Sequence, residues 1–239
     1  MKLDRVTIES TGVSLAALAY RPDEESRRRC IVLSHGFTSS KATMDLMAAY
    51  LAGRGYACMT FDFRGHKLGG STGELNGMQE AVTDLQLVVA DALKRFDCSE
   101  CVLIGHSMGA LVSFAVAAEH KDVAGVVAIA TGARPSKGFQ SRAGEAMLAQ
   151  RSAYVAGAEP IELLRQMDGL ADNVERLGDR PSLFVAAKND LLVRPETLKS
   201  LSLLAGPNAH FMEVEGAHLD APDRARGVVA NWLDQTFSG

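Results

Sequence analysis

The sequence predicts an α/β protein built on a mostly parallel sheet, and three observations predict it. Compact apolar runs recur along the chain: CIVLSHG at 30–36, YACMTFDF at 56–63, CVLIGH at 101–106, VAGVVAIAT at 123–131, PSLFVAAKND at 181–190 and AHFMEVEGAH at 209–218. They lack apolar–polar alternation, as strands buried on both faces do. Helical periodicity lies between most of them, and strand–helix alternation implies right-handed crossovers with helices on both faces of one sheet. The length of 239 residues, 47% of them apolar and 23% charged, suits one large core.

Taken in order, VTIES and VSLAALAYRP flank Thr11-Gly12, a turn signal, and predict an N-terminal antiparallel hairpin. Residues 44–52 read as a helix closed by Gly53 and Gly55. From Gln79 to Phe96, the side chains of Val82, Leu85, Val89, Leu93 and Phe96 form one helical stripe. Pro195 and Pro222 each stand just inside a helix start. The last helix, 222–236, carries Ala225, Val228, Val229, Trp232 and Leu233 on one face. One interval breaks the alternation. Residues 132–180 are too many for a plain crossover, and SRAGEAMLAQRSAYV and EPIELLRQMDGLADNVERL within them look helical. The predicted organisation is a core of residues 1–131 and 181–239, with 132–180 inserted as a small helical cap or lid over the strand ends.

Several function classes are disfavoured by composition. The net charge of −4 gives no electrostatic case for nucleic acid or an anionic membrane. Arg27, Arg28 and Arg29 follow acids and read as a solvated loop. No stretch has transmembrane length, and MKLDRVTIES lacks an apolar signal core, so a cytoplasmic protein is expected. Four cysteines do not make a disulfide scaffold. Cys98 and Cys101 form a C-x-x-C without a second pair, and Cys101 begins an apolar run, which argues against a zinc or redox site.

The chemistry centres on Gly105-x-Ser107-x-Gly109. With 22 glycines in the chain, roughly 0.14 such matches arise by chance, so the string alone is weak. A competing match, GGSTG, surrounds Ser71. Context separates them: Ser107 ends an apolar run and opens a helix, the setting of a nucleophile elbow, whereas Ser71 sits in a loop. A strained nucleophile crowds the positions two before and two after it, hence the glycines.

A nucleophilic serine needs a base, and the base needs an orienting acid. Of six histidines, His218 follows the last apolar run in VEGAHLD, at the carboxyl end of a strand, where open α/β sheets place their sites. His106 adjoins the nucleophile, points away across the turn and reads as structural; His66 lies in a loop, His120 at a helix end and His210 at a strand start. Asp190 follows the preceding strand, giving the order Ser107, Asp190, His218 that this architecture uses. Asp220 reads as a helix start and Asp62 as a buried acid near Arg64. Attack on a carbonyl also needs fixed N–H donors for the oxyanion. The candidates are the backbone N–H groups of Met108, at the helix start, and Phe37, in SHGFTSS after the first parallel strand.

The ordered set HGF at 35–37, DFRGH at 62–66, GHSMG at 105–109, ND at 189–190 and GAH at 216–218 resembles the α/β-hydrolase superfamily across nearly the whole chain. Within it the chain is most similar to small capped esterases, monoacylglycerol-lipase-like or feruloyl-esterase-like. The superfamily's loop after the second parallel strand often reads D-x-R-G-x-G-x-S; here DFRGHKLGGSTG has extra residues before the glycines and serine. The resemblance implies an α/β-hydrolase fold and a serine esterase acting on a small-molecule ester, with neither metal nor organic cofactor. Phe139, Met147, Leu148, Tyr154 and Met167 are the candidates to line an acyl pocket for small to medium groups, with packing inside the cap as their alternative. The same machinery also serves thioesterases, peptidases and carbon–carbon hydrolases, and a ligand-binding protein on this fold is a further alternative.

Overall fold

A computed structural model describes residues 1–10, 12–23, 27–140 and 142–237, without the side chains of Ala143 and Met147. Its strands are β1 (Lys2–Ser10), β2 (Val13–Arg21), β3 (Arg29–Ser34), β4 (Cys58–Phe61), β5 (Glu100–His106), β6 (Val123–Ile129), β7 (Ser182–Ala187) and β8 (Ala209–Val214). They form one sheet in the order β1-β2-β4-β3-β5-β6-β7-β8. The N-terminal hairpin is antiparallel, β2 joins β4 antiparallel, and every later pairing is parallel.

The sequence CIVL of β3 shows why its run has no alternation. Cys30 and Val32 face the layer that holds α2 (Met78–Phe96) and α3 (Met108–Glu119). Ile31 and Leu33 face the layer of α1 (Asp45–Ala52) and α8 (Ala221–Thr236). Both faces are dry, so every position is apolar. Strand β8 departs from that pattern: it has a neighbour on one side only, and Val214 is its one buried residue.

Residues 132–180 contain α4 (Pro135–Gly138), α5 (Arg142–Arg151), α6 (Pro160–Leu170) and a 3-10 stretch, Ala171–Leu177. Leu163, Leu164 and Met167 of α6, with Ala171, Val174 and Leu177, are buried in the α2–α3 layer. The segment after α5 is laced by backbone hydrogen bonds to the loop after β4: Lys67 N to Tyr154 O at 2.9 Å, Ala156 N to Gly65 O at 2.8 Å and Leu75 N to Ala156 O at 2.8 Å. Helix α7 (Pro195–Ser202) completes the set. Pro195 and Pro222 stand in the first turns of α7 and α8. Among the described residues no helix is long and apolar enough to cross a membrane.

Candidate active site

The buried runs of β5 and β7 and the edge strand β8 carry their chains to one end of the sheet and release three side chains there. Ser107 follows β5 directly and opens α3. Its φ of 52° and ψ of −114° are strained for a residue with a Cβ. Its N–H donates to Ile129 O at 2.9 Å, which ties the turn to β6. A Cβ at Gly105 would stand 2.3 Å from Ala110 N, and one at Gly109 2.5 Å from Ser34 O, so neither position admits a side chain.

Asp190 lies after β7, its carboxylate fully buried. One oxygen accepts the N–H groups of Leu192 and Val193, each at 2.8 Å. The other accepts the Nδ1–H of His218 at 2.7 Å. That bond leaves Nε2 of His218 as the basic nitrogen. The His218 imidazole and Ser107 line one cavity of about 340 Å³. Among the described residues no hydrogen bond joins them.

The loop after β3 closes on the serine. A Cβ at Gly36 would stand 3.3 Å from Ser107 Cβ and 3.0 Å from His106 Nδ1, so a larger residue here would press on both. Phe37 and Met108 line the cavity, and neither N–H has a hydrogen-bond acceptor among the described residues. His35 braces the loop: its Nδ1–H donates to Gly36 O at 2.8 Å and its Nε2 accepts the Phe63 N–H at 3.1 Å.

Sequence reasoning assigned His106 to structure, and the geometry gives it a sharper place. Its Nε2–H donates to the backbone carbonyl of His218 at 2.9 Å, and the two rings lie 5.0 Å apart. Burial, and then the charge of His218, lower its pKa to about 3, so it is neutral at ordinary pH. Its adjacency to Ser107 was the available signal.

Of the pocket candidates, Phe139, Leu148 and Met167 line the cavity. Tyr154 is not among the lining residues: it is 38% exposed, with the Arg151 guanidinium 5.4 Å from its ring, in keeping with the alternative of packing inside the cap. The side chain of Met147 lies outside the described residues. Arg151, Leu111, Leu164 and Val193 also line the cavity and were not foreseen. Asp62 is buried but pairs with Lys41 and not Arg64, whose partner is Asp84 at 2.6 Å. Ser71 serves the fold, donating to Asp62 O at 2.6 Å and accepting the Ala16 N–H at 2.9 Å. No group of three metal-ligating side chains occurs among the described residues.

This sheet, with a strained serine between β5 and α3 and an aspartate–histidine pair beyond β7 and β8, defines an α/β-hydrolase. The chain belongs to the family described as serine aminopeptidase, S33, whose model matches residues 25–160. Among curated relatives, a serine hydrolase-like protein of Dictyostelium discoideum is 32% identical over 108 residues, 45% of this chain and 29% of its own length. A monoacylglycerol lipase of Mycolicibacterium smegmatis is 28% identical over 110 residues, 46% of this chain and 39% of its own. The matches thus span well under half of either relative. A solved esterase of Pyrococcus furiosus superimposes with a TM-score of 0.79 at 21% identity, covering 98% of this chain and 91% of its own. An esterase domain from Rhodothermus marinus gives 0.74 at 22% identity, covering 98% and 99%. At these identities the structural likeness concerns the fold.

Proposed function

We propose that the protein is a serine hydrolase of carboxylic esters with small to medium acyl groups. Ser107 Oγ attacks the ester carbonyl while His218 Nε2 takes its proton. Asp190 holds the imidazole in the productive tautomer and stabilises the imidazolium. The N–H groups of Phe37 and Met108 receive the oxyanion. The alcohol leaves with the proton from His218, and water then cleaves the acyl-enzyme by the same route. Residues 132–180 act as the cap over this chamber.

The observation that carries the reading is the 2.7 Å bond from buried Asp190 to His218, whose imidazole lines one cavity with a strained serine. The lining favours esters over aminopeptidase substrates. A peptide's protonated amino terminus needs a carboxylate, and among the described residues lining the cavity there is neither Asp nor Glu. Ser107→Ala is expected to lower turnover of p-nitrophenyl butyrate by on the order of a million-fold, with loss of fluorophosphonate labelling. Near-normal hydrolysis by that variant would falsify the assignment. Faster cleavage of aminoacyl anilides or acyl thioesters than of esters would move the reading to those classes.

A further inference from the structure

One side chain on the chamber wall has no part in the chemistry above. Arg151, the last residue of α5, lines the same cavity as Ser107 and His218. Its Nε donates to Thr38 Oγ1 at 2.8 Å and its Nη2 to Thr38 O at 3.2 Å. Its Nη1 has no acceptor and its guanidinium no carboxylate partner among the described residues. Every other lining residue is neutral or a histidine, and His106 is held neutral by burial. The chamber therefore presents one fixed positive charge, with apolar Leu68, Phe139 and Leu148 also on its wall. In such surroundings a guanidinium attracts an anion more strongly than it does in water. The hydroxyls of Thr38 and Ser40 add donors for an oxygen-rich group, whereas Ser39 and Thr43 donate theirs within the loop, to Thr43 Oγ1 and Ser40 O.

We infer that the substrate is an ester that also carries a free carboxylate, held by Arg151; this rests on the ester-hydrolase reading of the site. A planar guanidinium matches a planar carboxylate through paired N–H donors. A single cation matches a monoanion, whereas a phosphate dianion would leave one charge without a partner. The location sets the spacing. Thr38 adjoins Phe37, the candidate oxyanion donor, and holds a positive φ of 59° while Arg151 bonds both its hydroxyl and its carbonyl. A carboxylate on Arg151 thus shares one chamber of about 340 Å³ with the reacting carbonyl, and the preferred spacer length reports the span between them.

The experiment compares mono-p-nitrophenyl esters of succinic, glutaric and adipic acids with neutral p-nitrophenyl esters of equal chain length. The wild-type enzyme is expected to prefer a charged member, chiefly through KM. Arg151→Gln should reduce the charged-to-neutral ratio of kcat/KM by roughly ten- to a hundredfold, and Arg151→Lys should restore part of it. Free glutaramate, a monoanion, should compete with substrate in the wild type, and neutral glutaramide should not. A wild type without charged preference overturns the inference. So does an equal fall for both ester types in Arg151→Gln, which would make the arginine only a brace for Thr38. Absence of cleavage of every ester, together with no fluorophosphonate labelling of Ser107, would sink the underlying ester reading instead, and the inference with it.

Discussion

At the scale of single residues, the site depends on backbone placement as much as on side-chain chemistry. His106 and Ser107 are consecutive, yet they serve the pocket from opposite directions: the serine enters it, and the histidine reaches across to the main chain of His218. Replacing His106 by Phe keeps the ring and removes that donor. It also removes Nδ1, a buried nitrogen without a partner among the described residues. The lost hydrogen bond costs about 1 kcal/mol, and loss of the unpaired nitrogen offsets part of that. His106→Phe is therefore expected to melt within a few degrees of the wild type while kcat falls about tenfold, because the loop bearing His218 loses its anchor. Calorimetry and ester kinetics on one preparation check both halves; a large drop in melting temperature with unchanged kcat would assign His106 to the fold alone. Gly105→Ala tests the elbow itself. Its new Cβ meets backbone at 2.3 Å, with no flexible group to yield, so the variant is expected to be destabilised by several kcal/mol, read as a lower urea midpoint.

At the scale of elements, α5 and the residue that follows α4 divide space. Phe139 and Leu148 line the 340 Å³ chamber and also a groove of about 530 Å³ bounded by Glu145, Ser152, Glu159 and Arg165. The two side chains are the partition. Leu148→Ala should join the volumes and move the optimum acyl length upward, raising kcat/KM for longer chains over butyrate by roughly tenfold. A p-nitrophenyl ester series reads this directly, and an unchanged profile would place the limit elsewhere. Elements were the most legible level of the sequence. The runs of β3 to β7 announced themselves because two dry faces demand apolar residues at every step. The stripe from Val82 to Phe96 marked α2 because one face meets the sheet. Contacts across the chain were not legible. Arg151 meets Thr38 over 113 positions, and neither residue type signals the other. Tyr154 looked like a pocket aromatic, but the chain turns after α5 and lays its ring on Arg151. Asp62 and Arg64, two apart in sequence, found different partners because Lys41 arrives on one side and Asp84 on the other.

At the scale of the whole molecule, three neutral imidazoles are built into the strand ends that frame the site, and this makes stability depend on acidity. Burial first, then neighbouring charge, lowers the pKa of His35 to about 3 and of His106 to about 3; burial lowers that of His66 to about 4. In the unfolded chain each titrates near 6.5. Below that pH the unfolded state takes up protons that the folded state refuses. Stability is therefore complete above pH 6.5 and falls as pH drops toward 4, by about 1.4 kcal/mol per pH unit for each histidine. Asp84 acts in the opposite sense. Burial raises its pKa despite its bonds to Arg64, so the folded state protonates it first; it is one group against three. Between pH 7 and 5 the three histidines together remove roughly 5 kcal/mol, comparable with the whole stability of many domains. Urea midpoints at pH 7, 6 and 5 are expected to fall steeply. His66→Phe should flatten that slope by about a third, since it removes one of the three titrating rings, while loss of the Nδ1 bond to Arg64 O lowers the midpoint at every pH alike. A midpoint constant from pH 7 to 5 would mean that these imidazoles already exchange protons freely in the folded state, and the dry packing around His35, His66 and His106 would have to be abandoned.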